Sequence, residues 1–314
     1  MSTRCLFFKS ELVTLNNYSM RRLTKITLNQ DDYMFFLKNS FVSSEPFVRS
    51  LGKLLEMKLF TGASDEYKPQ VGQKLLFGSE QLWLDLIYPQ LDPNPLNGVL
   101  IQYPHRHVLE NYFCLAYGIN SSLDEIHIDG KPKFTIQEFL SCNEFEKFID
   151  NPQSNRLISM NNAWMDEASL LALSAVAKEK LLAEKLDQFS FVGLIDFFEL
   201  SMSLAEYTFT GKITTRIWKN NQYSKIMSLY PSIPFEIIAQ IQERNQADNR
   251  LYSFAREKFF TNINEMIHRL EDNQTAKNDV GIIVLDPEVN FTKRELKIIG
   301  FFRKIKKMLF DLFG

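Results

Sequence analysis

The stretch VLIQYPHRHVLENYF, Val99 to Phe113, sets a proline and the triplet His105-Arg106-His107 between an apolar run and a run of helical character. Two histidines two positions apart point about 200° away from each other on a helix, and on a strand the pair would need two further ligands close by. The other histidines are His127 and His268, and Cys5, Cys114 and Cys142 are scattered, so no metal site is expected. An anion fits the pattern better. A strand that ends at Pro104 and gives way to a helix presents backbone N–H groups and basic side chains where a phosphate binds. The alternative is a helix start whose basic residues are simply solvated.

Lys38 is the second residue of chemical interest, since it follows the aromatic run DYMFF and precedes a polar turn, LKNSFVSS. A lysine between a strand and a helix suits nucleotide phosphates. A P-loop kinase or hydrolase would, however, need the glycines of GxxxxGK[ST] before it, and DYMFFLK has none. No G-x-S-x-G elbow is present either, which removes the serine hydrolases.

The elements that must position these residues are read from apolar patterning. DYMFF (Asp32 to Phe36), NGVLIQY (Asn97 to Tyr103) and SFVGLID (Ser190 to Asp196) are short unbroken apolar runs and read as buried strands. In EPFVRSLGKLLEMKLF, Phe47, Leu51, Leu54 and Leu55 recur at helical spacing, with Ser44 as N-cap and Pro46 in the first turn. Further helices are expected over His105 to Tyr117, around FTIQEFL, from Asp166 to Leu186, and over FFELSMSLAEYTF, PFEIIAQIQERN and LYSFAREKFFTNINEMIHRLED, with NPQSNRLIS as a polar stretch between. Strands separated by helices at these lengths predict an α/β fold: a P-loop-like parallel sheet flanked by helices, with a mostly helical C-terminal part. Residues 1–30 read as a lead-in, 31–272 as the α/β domain, and 273–314 as a linker and a C-terminal basic amphipathic helix.

That last piece places Ile298, Phe301, Phe302, Ile305, Leu309 and Leu312 on one helical face and Lys297, Arg303, Lys304, Lys306 and Lys307 around the rest. Such a helix suits an anionic membrane surface or a partner groove through residues 296–313, or else docks on its own domain. The 36 basic and 38 acidic residues nearly cancel, so no global field attracts nucleic acid, and no nucleic-acid partner is expected. Three unpaired-looking cysteines suit a reducing compartment. The N-terminal MSTRCLFFKSELV has too short an apolar run for a signal-peptide core, and no window approaches the ~18 apolar residues of a membrane span. A cytoplasmic location is expected, peripheral to a membrane if the tail binds one.

Several pieces, taken in order, resemble one family. NQADNRLYSFAREKF is similar to a pattern N-x-x-D-x-x-L-Y-x-x-A at Asn245, Asp248, Leu251, Tyr252 and Ala255. NPQSNRLIS resembles N-x-Q-T-R-x-L, with Arg156 one place late. In LDQFSFVGLIDFFELSMSL a Val-Gly-Leu step precedes an acidic residue and a phenylalanine. These are features of the sulfotransferases that use 3′-phosphoadenosine 5′-phosphosulfate (PAPS), particularly the carbohydrate-modifying branch related to heparan sulfate 2-O-sulfotransferases, and the resemblance covers most of residues 32 to 260.

The resemblance implies transfer of a sulfo group from PAPS to a hydroxyl of a carbohydrate or similar small acceptor. The family's P-K-T-G-G-T-S loop falls on Leu37 to Ser43. Lys38 would balance charge on the bridging oxygen, and Ser40 and Ser43 would lie along the 5′-phosphate loop. Both glycines are replaced, by Ser40 and Phe41. The family's R-D-P, followed six residues later by a serine, falls on Gln102, Tyr103, Pro104 and Glu110. Tyr112 also matches, and Arg106, His105 and His107 stand nearby as sources of the missing charge. Glu80, after a Phe77-Gly78-Ser79 stretch that resembles a Gly-His element, is the candidate base. The implied site is therefore Lys38 and Glu80 for catalysis, with Lys38, Ser40, Ser43, Gln102, Arg106 and Glu110 around the nucleotide. The alternative is a catalytically inactive sulfotransferase-fold protein acting in binding or scaffolding.

Overall fold

A computed structural model of the chain describes residues 33–37, 44–60, 75–79, 96–119, 131–159, 173–211, 213, 224–226 and 228–272. The expectations for residues 1–30, for the linker and basic helix over 273–314, and for Lys38, Ser40, Ser43 and Glu80 fall outside the described residues.

The strands are β1 (Tyr33–Leu37), β2 (Lys58–Phe60), β3 (Leu75–Ser79), β4 (Leu96–Ile101) and β5 (Phe191–Leu194). They form one parallel sheet in the order β2-β3-β1-β4-β5, with Leu37 opposite Val99 and Val99 opposite Val192. The α/β class holds, and two strands join the three read from sequence. The helices are α1 (Glu45–Leu54), α2 (Pro104–Tyr117), α3 (Ile136–Ser141), α4 (Glu146–Ile149), α5 (Pro152–Ser159), α6 (Ala175–Gln188), α7 (Phe198–Thr210), α8 (Phe235–Arg244) and α9 (Gln246–Asp272). Three expectations change. The segment KLF leaves the first helix to become β2, and NPQSNRLIS is a helix. The helix expected from Asp166 starts at Ala175, where the Ser174 hydroxyl caps it by accepting from Ala177 N. Ser44 holds the N-cap position of α1 without a side-chain cap bond.

Parallel strands require crossovers, and the right-handed rule puts the β1-to-β2 helix and the β4-to-β5 helices on opposite faces. Accordingly α1 packs with α7, while α5, α6 and α9 pack together, with α9 against β5. Phe47 of α1 joins the sheet core, its ring 5.2 Å from Phe36, 5.7 Å from Phe191 and 5.8 Å from Phe198. Gly98, opposite Phe36 in the ladder, makes room for that ring: a Cβ there would lie 2.5 Å from Phe36 Cε2. A second core joins Val108, Leu109, Tyr112 and Phe113 of α2 to Phe139 of α3 and Ile237 and Ile241 of α8. α2 is buried along nearly its whole length, and its apolar residues belong to this second core.

Candidate functional site

β1 and β4 are neighbours, yet the chain leaves β1 toward β2 on one side and leaves β4 toward β5 on the other. In open α/β sheets ligands bind outside the carboxyl ends of the strands at such a reversal. Leu37 and Ile101 end their strands at this edge, two residues apart in register. Gln102 and Arg106 stand together on the β4 side, where the strand turns into α2, and Glu110 lies about one turn further along the helix.

The turn from β4 into α2 is closed by contacts from distant parts of the chain. Tyr103 is the N-cap residue and supplies no side-chain cap, while Pro104 at the first helical position has no N–H to satisfy. Asp196, in the 3-10 turn that follows β5, reaches across instead. Its Oδ2 accepts from Tyr103 N at 2.8 Å and its Oδ1 from Arg106 Nη1 at 3.2 Å. This ion pair is buried, with the arginine side chain 4% exposed and the aspartate side chain 0%. Gln102 extends β4 by one artificial rung: its N–H donates to Gln153 Oε1 at 2.9 Å and its carbonyl accepts from Gln153 Nε2 at 2.8 Å. The Gln102 side chain accepts at Oε1 from His107 Nδ1, 3.3 Å away, and its buried Nε2 has no hydrogen-bond partner among the described residues.

The two histidines are neutral here. Burial lowers His105 to about 3, with help from the Arg106 charge, and lowers His107 to about 3, with help from Arg156. His105 Nδ1 accepts from Gln242 Nε2 at 3.2 Å, which leaves its proton on Nε2. The helix start is thus neither solvated nor triply basic; its histidines cannot supply the charge expected of them. Its rings pack instead: Tyr103 lies edge-on to His105 at 4.6 Å and to Tyr252 at 4.9 Å, and the Arg106 guanidinium sits 5.9 Å over Tyr230. Glu110 is wholly buried, and its charge adds to burial in pushing the Cys114 thiol well up.

Behind this turn, the two most specific sequence patterns prove to be one structural device. Asn151, in the left-handed conformation at φ +49°, accepts at Oδ1 from Ala247 N (2.8 Å) and Asp248 N (3.1 Å), capping α9. Asp248 of α9 returns the favour to α5, accepting from Gln153 N at 3.1 Å and Ser154 N at 2.6 Å. Asn151 N also donates to Asn245 Oδ1 at 2.9 Å, and Arg244 grips Asp150 through two bonds of 2.6 and 3.0 Å. Leu251, Tyr252 and Ala255 are buried in the sheet core. Asn245 and Asp248 therefore serve the scaffold that holds Gln153, and through it the end of β4.

Asp196, Gln242 and Tyr230 had no assigned role in the sequence reading. Only the acidic position after Val-Gly-Leu drew notice to Asp196, and its partner lies 90 positions away. Among the described residues no group of three His, Cys, Asp or Glu side chains could hold a metal ion, and no helix is long and apolar enough to cross a membrane. No protein-family model matches the chain, and no curated protein matches it.

Proposed function

We propose that the chain is a sulfotransferase-like α/β protein with a P-loop-like nucleotide crevice outside the carboxyl ends of β1 and β4. The observation that supports it is the strand order: among the described strands, the two segments that the resemblance assigns to the nucleotide leave the neighbouring strands β1 and β4 in opposite directions. The activity implied is transfer of a sulfo group from PAPS to a hydroxyl of a carbohydrate or similar acceptor. Lys38, Ser40 and Ser43 belong to the β1 segment of that reading, Glu80 is its candidate base, and Gln102, Arg106 and Glu110 belong to the β4 segment.

On the β4 side the residues do not fit a 3′-phosphate as they stand. Arg106 is neutralised by Asp196, Glu110 and Gln102 are wholly buried, and a dianion beside two carboxylates is repelled. That observation favours a second reading, a catalytically inactive member of the fold that acts in binding or scaffolding. The basic amphipathic segment 296–313 supports a peripheral contact with an anionic membrane or a protein under either reading.

Thermal unfolding with 3′-phosphoadenosine 5′-phosphate tests the crevice. A ligand that binds only the native state raises the midpoint in a concentration-dependent way. Such a rise, abolished by Lys38→Ala, is expected; an unmoved midpoint at millimolar nucleotide would rule the crevice out. A rise without any sulfo transfer to sugar acceptors would select the inactive reading.

A further inference from the structure

Among the described residues two large apolar side chains stand in solvent, Val176 at 77% exposed and Phe235 at 75%. Val176 is isolated, since Glu179 and Lys180 follow it one turn on. Phe235 is not. On α8 the positions three and four further along are Ile238, half-buried, and Ala239, exposed, so the three share a stripe. The core contacts of α8 lie elsewhere on its circumference, where Ile237 and Ile241 are buried in the second core. The helix therefore carries a further apolar stripe that is largely open to solvent.

An exposed apolar patch with a polar rim marks a contact surface. Here the rim is acidic. Glu236 and Glu243, both exposed and seven positions apart, run along one edge of the stripe. The basic residue of α8, Arg244, is already held by Asp150. A fitting occupant offers an apolar face edged by cations at the same spacing.

Segment 296–313 has that form. Written on a helix, Ile298, Phe301, Phe302, Ile305, Leu309 and Leu312 share one face, and Lys297 and Lys304, also seven apart, run along an edge of it. It is also within reach. At ~1.5 Å per residue α9 carries its end up to ~40 Å from the junction with α8, while residues 273–295 can span ~75 Å at ~3.3 Å each. A tethered segment needs far less intrinsic affinity than a separate molecule to stay bound.

We propose that segment 296–313 docks as an amphipathic helix on the Phe235-Ile238-Ala239 stripe of α8, with Lys297 and Lys304 against Glu236 and Glu243. The inference does not rest on the nucleotide reading. It makes the chain's own helical lobe the resting place of the segment, so that an anionic membrane would have to compete for the same apolar face.

Hydrogen exchange read by mass spectrometry on the full chain tests this. Peptides from 296–313 are expected to exchange at least ~10-fold more slowly in the wild type than in Phe235→Ser. The pair Glu236→Lys with Glu243→Lys should also speed their exchange, and adding Lys297→Glu with Lys304→Glu should restore protection. Exchange left unchanged by these substitutions on α8 would overturn the proposal, as would protection that arises only with phosphatidylserine vesicles present. Protection that fades on ~10-fold dilution would overturn it too, because a tethered contact is independent of concentration while docking on a second copy is not. If a variant on α8 does not fold, Phe301→Ser with Phe302→Ser decides, read at peptides over Phe235–Arg244: faster exchange there supports docking, and unchanged exchange refutes it.

Discussion

Two junctions flank the end of β4 and solve the same problem differently. Where α5 meets α9, the first backbone donors of each helix are taken by a side chain from the other: Asn151 caps α9 and Asp248 caps α5. Where β4 meets α2, the helix is capped by Asp196 from beyond β5, with Arg106 buried beside it and an amide nitrogen left over. The first arrangement mixes neutral amide hydrogen bonds, each contributing ~1 kcal/mol net, with the Asp248 carboxylate and the half-buried Arg244–Asp150 pair. The second buries an ion pair, which roughly breaks even against well-packed apolar side chains. Neither junction keeps every local rule: the second leaves Gln102 Nε2 without a partner among the described residues, and the first leaves Ser154 Oγ without one and holds Asn151 at positive φ.

The largest expected effect sets the titratable groups of the two junctions against each other. His105 and His107 are lowered from 6.5 to about 3, so the unfolded chain binds protons first, and their stabilisation is lost as pH falls from ~6.5 toward ~3. Fully lost, this is ~4–5 kcal/mol for each imidazole at ~1.4 kcal/mol per pKa unit. Asp248 is raised from 3.8 to about 6 by burial against its hydrogen bonds, so the folded state binds the proton first. Its contribution therefore rises as pH falls from 6 to 4. That opposing gain is ~3 kcal/mol, and the two histidines outweigh it. Circular dichroism against pH should show acid unfolding well above pH 3; unchanged stability from pH 7 to 4 would contradict the buried, neutral histidines.

Breaking the charged junction comes next. Arg106→Met removes the guanidinium beside the buried Asp196 carboxylate and is expected to cost ~3–5 kcal/mol in urea unfolding, while adding Asp196→Leu should restore most of it. A single-variant cost under ~1 kcal/mol would mean the pair is not buried. At the scaffold junction Asp248→Ala frees Gln153 N and Ser154 N, and a loss of ~2 kcal/mol is expected, reduced by relief of the buried carboxylate. Faster hydrogen exchange should follow at those two amides, and its absence would show that the cap is not used. The smallest effect belongs to Gln242→Met, which removes one half-buried hydrogen bond to His105, for ~1 kcal/mol or less.

How far the sequence could be read follows from where each partner lies. β1, β4 and β5 stand out as unbroken apolar runs because strands buried on both faces need them. β2 and β3 do not. KLF continues the apolar spacing of α1, and LLFGS is too short to declare a period. α5 reads as a polar stretch because its cap, Asp248, is supplied from α9. His105-Arg106-His107 reads as a basic surface because nothing local shows that α2 is buried along nearly its whole length. The motif residues Asn245 and Asp248 were visible as a pattern, but their work in mutual capping with Asn151 depends on contacts more than ninety positions apart. Asp196 is the sharpest case: its type and place were legible, while its role as the anion over α2 required the fold.

Photoaffinity labelling with an azido analogue of 3′-phosphoadenosine 5′-phosphate, followed by peptide mapping, bears most directly on a nucleotide crevice between β1 and β4. Labelled peptides are expected from the segments that leave these two strands, residues 33–45 and 99–110, and unlabelled nucleotide should compete the label away. Label confined to other segments, or no competable label, would contradict a crevice at that edge of the sheet.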